Sequence, residues 1–256
     1  MLLIVLLLIT LLIVWLVFIS ISNSKKQAAV LMTNKKPVYI YFHVCCINAG
    51  SANWKYIVNY IFDYLEKFDA FKKITEMRVC LLGENEFIND PIWKRHSKIK
   101  IHAHDSNKSL YEKFTLHTMR NDAERETFNA FYMHSKGFRT GIKKSKPWVE
   151  EMLLNCWKDF NFIMQQLKIY DTIGTRLKFI DGKIGSHYSG NFWWSKSEYL
   201  KTRTDNVGER YYDPEAWVHR KIDCRVLGLK NGQKDQDMII YRIPNGKKHY
   251  YGKKYY

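Results

Sequence analysis

Cysteine is scarce, and its number is odd: five residues in 256, with Cys45 and Cys46 adjacent. Such a set does not build the disulfide framework of a small secreted module, and it agrees with a reducing compartment. Zinc-ligand spacing is missing as well, because His102 and His104 have no Cys-x-x-Cys or His-x-x-x-His arrangement around them. No internal repeat is visible, and no recognisable nucleic-acid-binding motif is present. Charge is absent from the start of the chain: Met1 to Ile21 contain no Asp, Glu, Lys or Arg. A cleaved signal peptide, the alternative for such a start, usually has a basic n-region and a shorter apolar core, and both are lacking.

What is present there is almost entirely Leu, Ile and Val, with Trp15 and Phe18. About 20 residues at 1.5 Å each reach about 30 Å, the thickness of a bilayer's hydrocarbon core. One transmembrane helix is therefore expected over residues 1–22, followed by a basic linker over 23–36. Lys25, Lys26, Lys35 and Lys36 follow the apolar run, so the positive-inside rule places the globular part in the cytoplasm. A lumenal type II topology is the alternative, in which Asn107-Lys-Ser109 is a candidate glycosylation site. The excess of 41 Lys and Arg over 25 Asp and Glu, a formal +16, favours polyanions or anionic lipid surfaces as neighbours. The basic residues are scattered, which describes a solvated face better than a binding stripe.

From residue 37 the pattern is that of one α/β domain, expected over 37–230, with a basic, Tyr-rich tail over 231–256. Val38 to Cys46 reads as a buried strand, followed by a Gly/Ser/Asn loop. Ile57, Val58, Ile61, Phe62, Leu65 and Phe68 recur at spacings of three and four, predicting a helix over 54–68. Further strands are expected at 77–82, 99–104 and 128–133, and a helix over 110–119. One long helix is expected from Pro147, in its first turn, to Leu167. Strand followed by helix, repeated, implies parallel pairing. The tail, with a strand-like stretch at 238–243, is expected to pack loosely.

Chemistry-bearing residues cluster where apolar runs stop. Phe128 to Met133 ends in His134-Ser-Lys136-Gly137, a cationic turn at a strand's carboxyl end, where open α/β sheets bind ligands. This suits a diphosphate; a surface turn with a solvated lysine is the bland alternative. His187-Tyr-Ser-Gly-Asn191-Phe-Trp193-Trp194 places two indoles side by side, and strand alternation predicts one in the core and one facing a cleft. Asp213-Pro-Glu215 opens a helix, where a capping carboxylate is the ordinary role of an acid.

Taken in order, Tyr-Phe-His-Val-Cys-Cys-Ile-Asn at 41–48, Tyr-Met-His-Ser-Lys-Gly at 132–137, Tyr-Asp-Thr-Ile-Gly at 170–174, Ser-Gly-Asn-Phe-Trp-Trp at 189–194 and Glu215-Ala-Trp217 resemble the GT-A nucleotide-sugar glycosyltransferases of large DNA viruses and bacterial polysaccharide clusters. The resemblance implies a Rossmann-like GT-A mixed sheet flanked by helices, preceded here by the transmembrane helix. It implies a nucleoside-diphosphate sugar as donor and a glycan or glycoprotein as acceptor, with no nucleic-acid partner. His43 and Asn48 would then face the nucleotide; His134, Lys136 and Gly137 the diphosphate; and Asn191, Trp193, Trp194 and His187 the sugars. Glu215, with Asp213 in reserve, would be the general base. Many GT-A enzymes carry Asp-x-Asp where this chain has His134-Ser-Lys136, a departure that favours a mechanism without metal. Asp171 or Asp181 could still bring a divalent ion, Mn or Mg. A catalytically inactive anchored interaction protein and a basic nucleic-acid binder are the competing functions.

Overall fold

Val38-Tyr-Ile-Tyr-Phe-His-Val alternates aliphatic or Phe residues with Tyr, Tyr and His, and a strand must send these two sets to opposite faces of its sheet. That division organises the fold. The computed structural model describes residues 15–20, 22, 36–46, 53–135, 142–178, 186–203, 206–210, 212–220, 224–230, 233–242 and 248–254. The chain divides into two compact units, Met1–Lys36 and Pro37–Tyr256. In the first, residues 15–20 are helical, while most of the expected span and the linker lie outside the described residues. Among the described residues, no helix is long and apolar enough to cross a membrane.

The second unit is a mixed, Rossmann-like α/β sheet with helices on both faces. In chain order its principal elements are β1 (Val38–Cys45), α1 (Trp54–Glu66), α2 (Ala70–Lys73), β2 (Glu76–Leu82), β3 (Ile99–Asp105), α3 (Lys113–Arg125), β4 (Asn129–His134), α4 (Ile142–Trp157) and α5 (Phe160–Gln166). They continue with β5 (Thr172–Thr175), β6 (Leu177–Lys178), β7 (His187–Tyr188), β8 (Trp193–Lys196), α6 (Ser197–Leu200), α7 (Asp213–Trp217), β9 (Cys224–Lys230), β10 (Gln233–Arg242) and β11 (Lys248–Lys254). Among the described residues one sheet has nine strands in the order β11-β10-β9-β5-β8-β4-β1-β2-β3. β4, β1, β2 and β3 are parallel, β8 lies antiparallel between β4 and β5, and β9 is parallel to β5. From β1 the chain moves outward to β2 and β3, then returns to place β4 on the other side of β1. The strand order therefore reverses between β1 and β4, the position at which α/β sheets open a crevice at their carboxyl ends.

One face is apolar. Ile40, Phe42 and Val44 of β1 meet Met77, Val79 and Leu81 of β2, Phe131 and Met133 of β4, and the buried sides of α1, α4 and α5. The other face is built on tyrosines and polar bonds to α3. Tyr39 donates to Glu126 at 3.1 Å, Tyr41 donates to Asp122 at 2.7 Å, and His43 shares a 2.8 Å hydrogen bond with Thr115. Residues 115, 122 and 126 recur at helical spacing, so one side of α3 reads out the alternate residues of β1 in reverse order. α3 consequently runs over 113–125 rather than the expected 110–119, because its buried side continues past Met119 in Asp122 and Ala123, and Glu126 follows directly at its end.

Three other expectations change. The long helix breaks at Asp159, whose carboxylate caps α5 by accepting from the Phe162 N–H at 2.9 Å, and Pro147 lies inside α4 rather than in a first turn. The tail is not a loose appendage: β10 pairs antiparallel with β9 and with β11 in the main sheet. Gly174 is required by contact, since a Cβ there would lie 2.6 to 2.9 Å from ring carbons of Tyr188.

Candidate functional site

The reversal point gathers residues that are far apart in sequence. His43 and His134 are register partners on β1 and β4, at the carboxyl ends of both strands. Glu112, the residue before α3, lies over the same edge. Its Oε2 accepts from the Tyr132 hydroxyl at 2.7 Å and from Asn191 Nδ2 at 2.6 Å, while its Oε1 lies 3.6 Å from His134 Nδ1. His134 donates through Nε2 to the Gly190 carbonyl at 3.0 Å. That carbonyl belongs to a turn in which Gly190 and Asn191 both have positive φ, 94° and 59°. A Cβ on Gly190 would lie 2.4 Å from Met152 Sδ, so both conformation and space call for glycine; Asn tolerates the left-handed region better than most residues.

The electrostatics of the cluster are uneven. Burial raises the pKa of Glu112, but His134, His43 and the hydrogen bonds from Tyr132 and Asn191 outweigh it and hold the carboxylate below its ordinary range. Burial pushes the His43 imidazole down to about 4, against the opposing pull of Glu112. Burial also raises the Tyr132 hydroxyl well above its ordinary value, with the charges of Glu112 and Glu215 adding to the effect. Glu215 is thus within electrostatic reach of Tyr132, and its Oε2 lies 3.9 Å from His187 Nε2. The site holds two carboxylates, Glu112 inside the network and Glu215 at its edge.

Because the folded-state value for His43 lies below the ordinary 6.5, the unfolded chain binds this proton more tightly. The stability that neutral His43 contributes is complete above about pH 6.5. It is lost as pH falls through about 4. Between pH 7 and 5, above the carboxylate range, the loss is about 2 kcal/mol. Urea unfolding of the wild type and of His43→Gln at these two pH values should show a smaller drop in the variant; equal drops would assign the pH dependence to other groups.

The structure sorts the sequence-based site as follows. His43, His134 and Asn191 are brought together, and His187 is brought to Glu215. Asn48, Lys136, Gly137 and Asp181 lie outside the described residues. Trp193 and Trp194 are both fully buried, which corrects the expectation that one faces a cleft. β8 is covered on both faces, so alternation sends Trp193 onto Tyr132, with ring centroids 5.1 Å apart, and Trp194 among Phe131, Trp157 and Phe160. Asn191 is buried too: its Oδ1 accepts from Trp193 Nε1 at 2.7 Å and its Nδ2 serves Glu112, so it braces the site. Asp213 is bound to Arg220 at 2.6 Å and accepts from the Arg210 N–H at 2.7 Å, which makes it a structural acid rather than a reserve base.

Asp171 stands at the opposite edge of the sheet. β5 pairs Thr172 with Ser195 and β4 pairs Asn129 with Lys196, so Asp171 lies at the amino end of β4, bonded to Lys196 at 2.9 Å and to the Arg225 N–H at 2.8 Å. It cannot bring a metal to the His134 edge. Among the described residues no group of three or more His, Cys, Asp or Glu is arranged to hold a metal ion. Sequence reasoning missed Glu112, Thr115 and Tyr132. The available signal was helical spacing from Glu112 through Thr115 to Asp122 and Glu126, which a search for apolar periodicity passes over.

No protein-family model matches the chain, and no curated protein matches it in sequence. Among solved structures, the fold is similar to 4-diphosphocytidyl-2C-methyl-D-erythritol synthase from Anaerococcus prevotii, with 10% identity and a TM-score of 0.45 over 78% of this chain and 92% of that one. A second structure of 4-diphosphocytidyl-2C-methyl-D-erythritol synthase shares 12% identity with a TM-score of 0.39 and the same coverage, 78% and 92%. Likeness at this level carries no argument about chemistry.

Proposed function

We propose that the chain is a GT-A-type glycosyltransferase that moves a sugar from a nucleoside-diphosphate sugar to a hydroxyl of a glycan or glycoprotein acceptor. The observation that carries this reading is the convergence of His43, His134 and Asn191 on one partly buried carboxylate where the strand order reverses, with Glu215 of the His187–Glu215 pair in reach of the same Tyr132. Transfer requires a base for the acceptor hydroxyl and positive charge or donors for the departing diphosphate. Glu215 is assigned the first role. His134, together with Lys136 and Gly137 two and three residues on in sequence, is assigned the second, and His43 and Asn48 the nucleotide side. No metal is assigned; Asp181 is the remaining candidate from sequence for a divalent ion.

Residues 1–22 are proposed as a membrane anchor with the domain on the cytoplasmic side, supported by the uncharged run and the four lysines that follow it. Asn107 is exposed, so an N-glycan on it in the expressed protein would place the domain in the lumen instead. The functional reading is tested by thermal shift of the intact chain against a panel of nucleotide sugars, with and without Mn or EDTA, followed by a hydrolysis assay with any donor that stabilises it. A nucleoside-diphosphate sugar should raise the midpoint. A panel without a single stabilising donor, and without hydrolysis, would count for the inactive interaction protein.

A further inference from the structure

His134 shows both ring nitrogens to acceptors: Nε2 lies 3.0 Å from the Gly190 carbonyl, and Nδ1 lies 3.6 Å from a Glu112 carboxylate oxygen. A neutral imidazole has one N–H, so one of its nitrogens would turn a lone pair toward an oxygen; the imidazolium presents a proton to each. Among the described residues, the groups facing this ring include Glu112 before α3, His43 from β1, and the Gly190 carbonyl with the Phe192 ring from the turn before β8; Lys136 follows two residues on in sequence. Of the two histidines, His43 is deeply buried and hydrogen-bonded to Thr115, whereas His134 lies against the carboxylate. Two titratable neighbours whose surroundings differ in this way take different charge states. Glu112 itself is fixed by Tyr132 and Asn191 on its other oxygen, leaving Oε1 for His134.

We propose that Glu112 is the positioning residue that keeps His134 doubly protonated, a fixed cation at the carboxyl end of β4 for an anionic leaving group. Glu112 acts through His134 and touches no substrate in this scheme. The charge state is a property of the free protein; only its use for a diphosphate rests on the function proposed above. Nothing need be protonated on ligand arrival, so anion binding stays insensitive to pH across the neutral range. Without the Glu112 charge, the proton on His134 would be lost within that range, and anion affinity with it.

The test reads the imidazole 15N shifts of the intact chain, with His134 assigned by the signal that disappears in His134→Gln. At pH 7.5 both His134 nitrogens should fall in the protonated range in the wild type, and one should move to the unprotonated range in Glu112→Gln. A singly protonated wild-type His134 overturns the proposal without any need for the Glu112 variant to fold. An imidazolium that persists in a folded Glu112→Gln protein overturns it too. In a second arm, inorganic pyrophosphate is titrated calorimetrically into both proteins, and the ratio of their affinities is followed so that the probe's own ionisation cancels. The ratio of wild-type to variant affinity should rise by about tenfold from about pH 5.5 to about pH 8, because the variant alone loses an imidazolium charge near the anion; a ratio that stays level overturns the proposal. A doubly protonated wild-type His134 that binds no pyrophosphate upholds the role of Glu112 and counts against the nucleotide-sugar reading instead.

Discussion

Glu215→Gln is expected to lower sugar transfer by roughly a hundredfold or more, the usual worth of general base catalysis, while donor binding changes little. The substitution keeps the shape of the side chain and removes its basicity. Glu215 suits the role because Glu112, whose side chain is about as exposed at 20% against 21%, is committed to Tyr132 and Asn191. α7 is five residues long, too short for a helix dipole to weigh much on Glu215, and His187 Nε2 lies 3.9 Å from its Oε2. Steady-state transfer with the donor selected by thermal shift, beside calorimetry of donor binding, checks the expectation. Near-normal turnover in the Gln variant would remove Glu215 from the chemistry and return it to a helix-start acid. Asp213→Asn serves as the contrast: tied to Arg220 and the Arg210 N–H, it should affect stability before turnover.

The largest expected loss of stability comes from Asp122→Ala, about 3–5 kcal/mol, the cost of removing one partner from a buried ion pair. Asp122 is 2% exposed and accepts from Tyr41 at 2.7 Å, from Arg78 at 3.1 Å, from His102 at 2.7 Å and from Arg125. Arg78, itself buried, lies 3.7 Å over the Tyr39 ring and donates to Glu126 at 2.6 Å. Loss of Asp122 leaves that guanidinium and the Tyr41 hydroxyl inside the sheet–α3 interface with fewer acceptors. At about 2–4 °C per kcal/mol for a domain of this size, the melting midpoint should fall by about 6–20 °C. Lys72→Ala, which breaks an exposed pair with Asp69, should leave the midpoint unchanged within error. A fall in Asp122→Ala no larger than that control would show the network to be solvated.

Acid should reproduce the effect. Burial raises the Asp122 pKa, yet the bonds from His102, Tyr41 and Arg125 prevail and bring it down to about 2. A folded value below the unfolded one means that this contribution is present above about pH 4 and disappears as pH falls through the folded value. Acid unfolding of the wild type should therefore proceed in two regions, His43 acting from about pH 6.5 downward and Asp122 only below about pH 4.

The α/β character, the first strand and the helix after it were legible because each is a periodic pattern within a few residues. Val38–Cys45 alternates with period two, and Trp54–Glu66 carries its buried residues at three and four. The importance of the strand end at His134 could be read from an apolar run that stops in a cationic turn. Whether Trp193 and Trp194 faced a cleft or a core could not be read, since that depends on β8 being inserted antiparallel between β4 and β5 with helices over both faces. The full length of α3 was hidden because beyond Met119 its inner side is held by the hydrogen bonds and ion pairs of Asp122, with the small Ala123 alone extending the apolar period of Leu116 and Met119. Asp171 and Glu215 looked alike as acids near motifs; the register of β5 and β8 sent one to the far edge of the sheet, while the packing of α7 brought the other toward Tyr132. Local sequence by itself determined which segments become strands and helices, through side-chain period and backbone preference. Strand order and register, which depend on contacts between distant segments, decided which histidine meets which carboxylate.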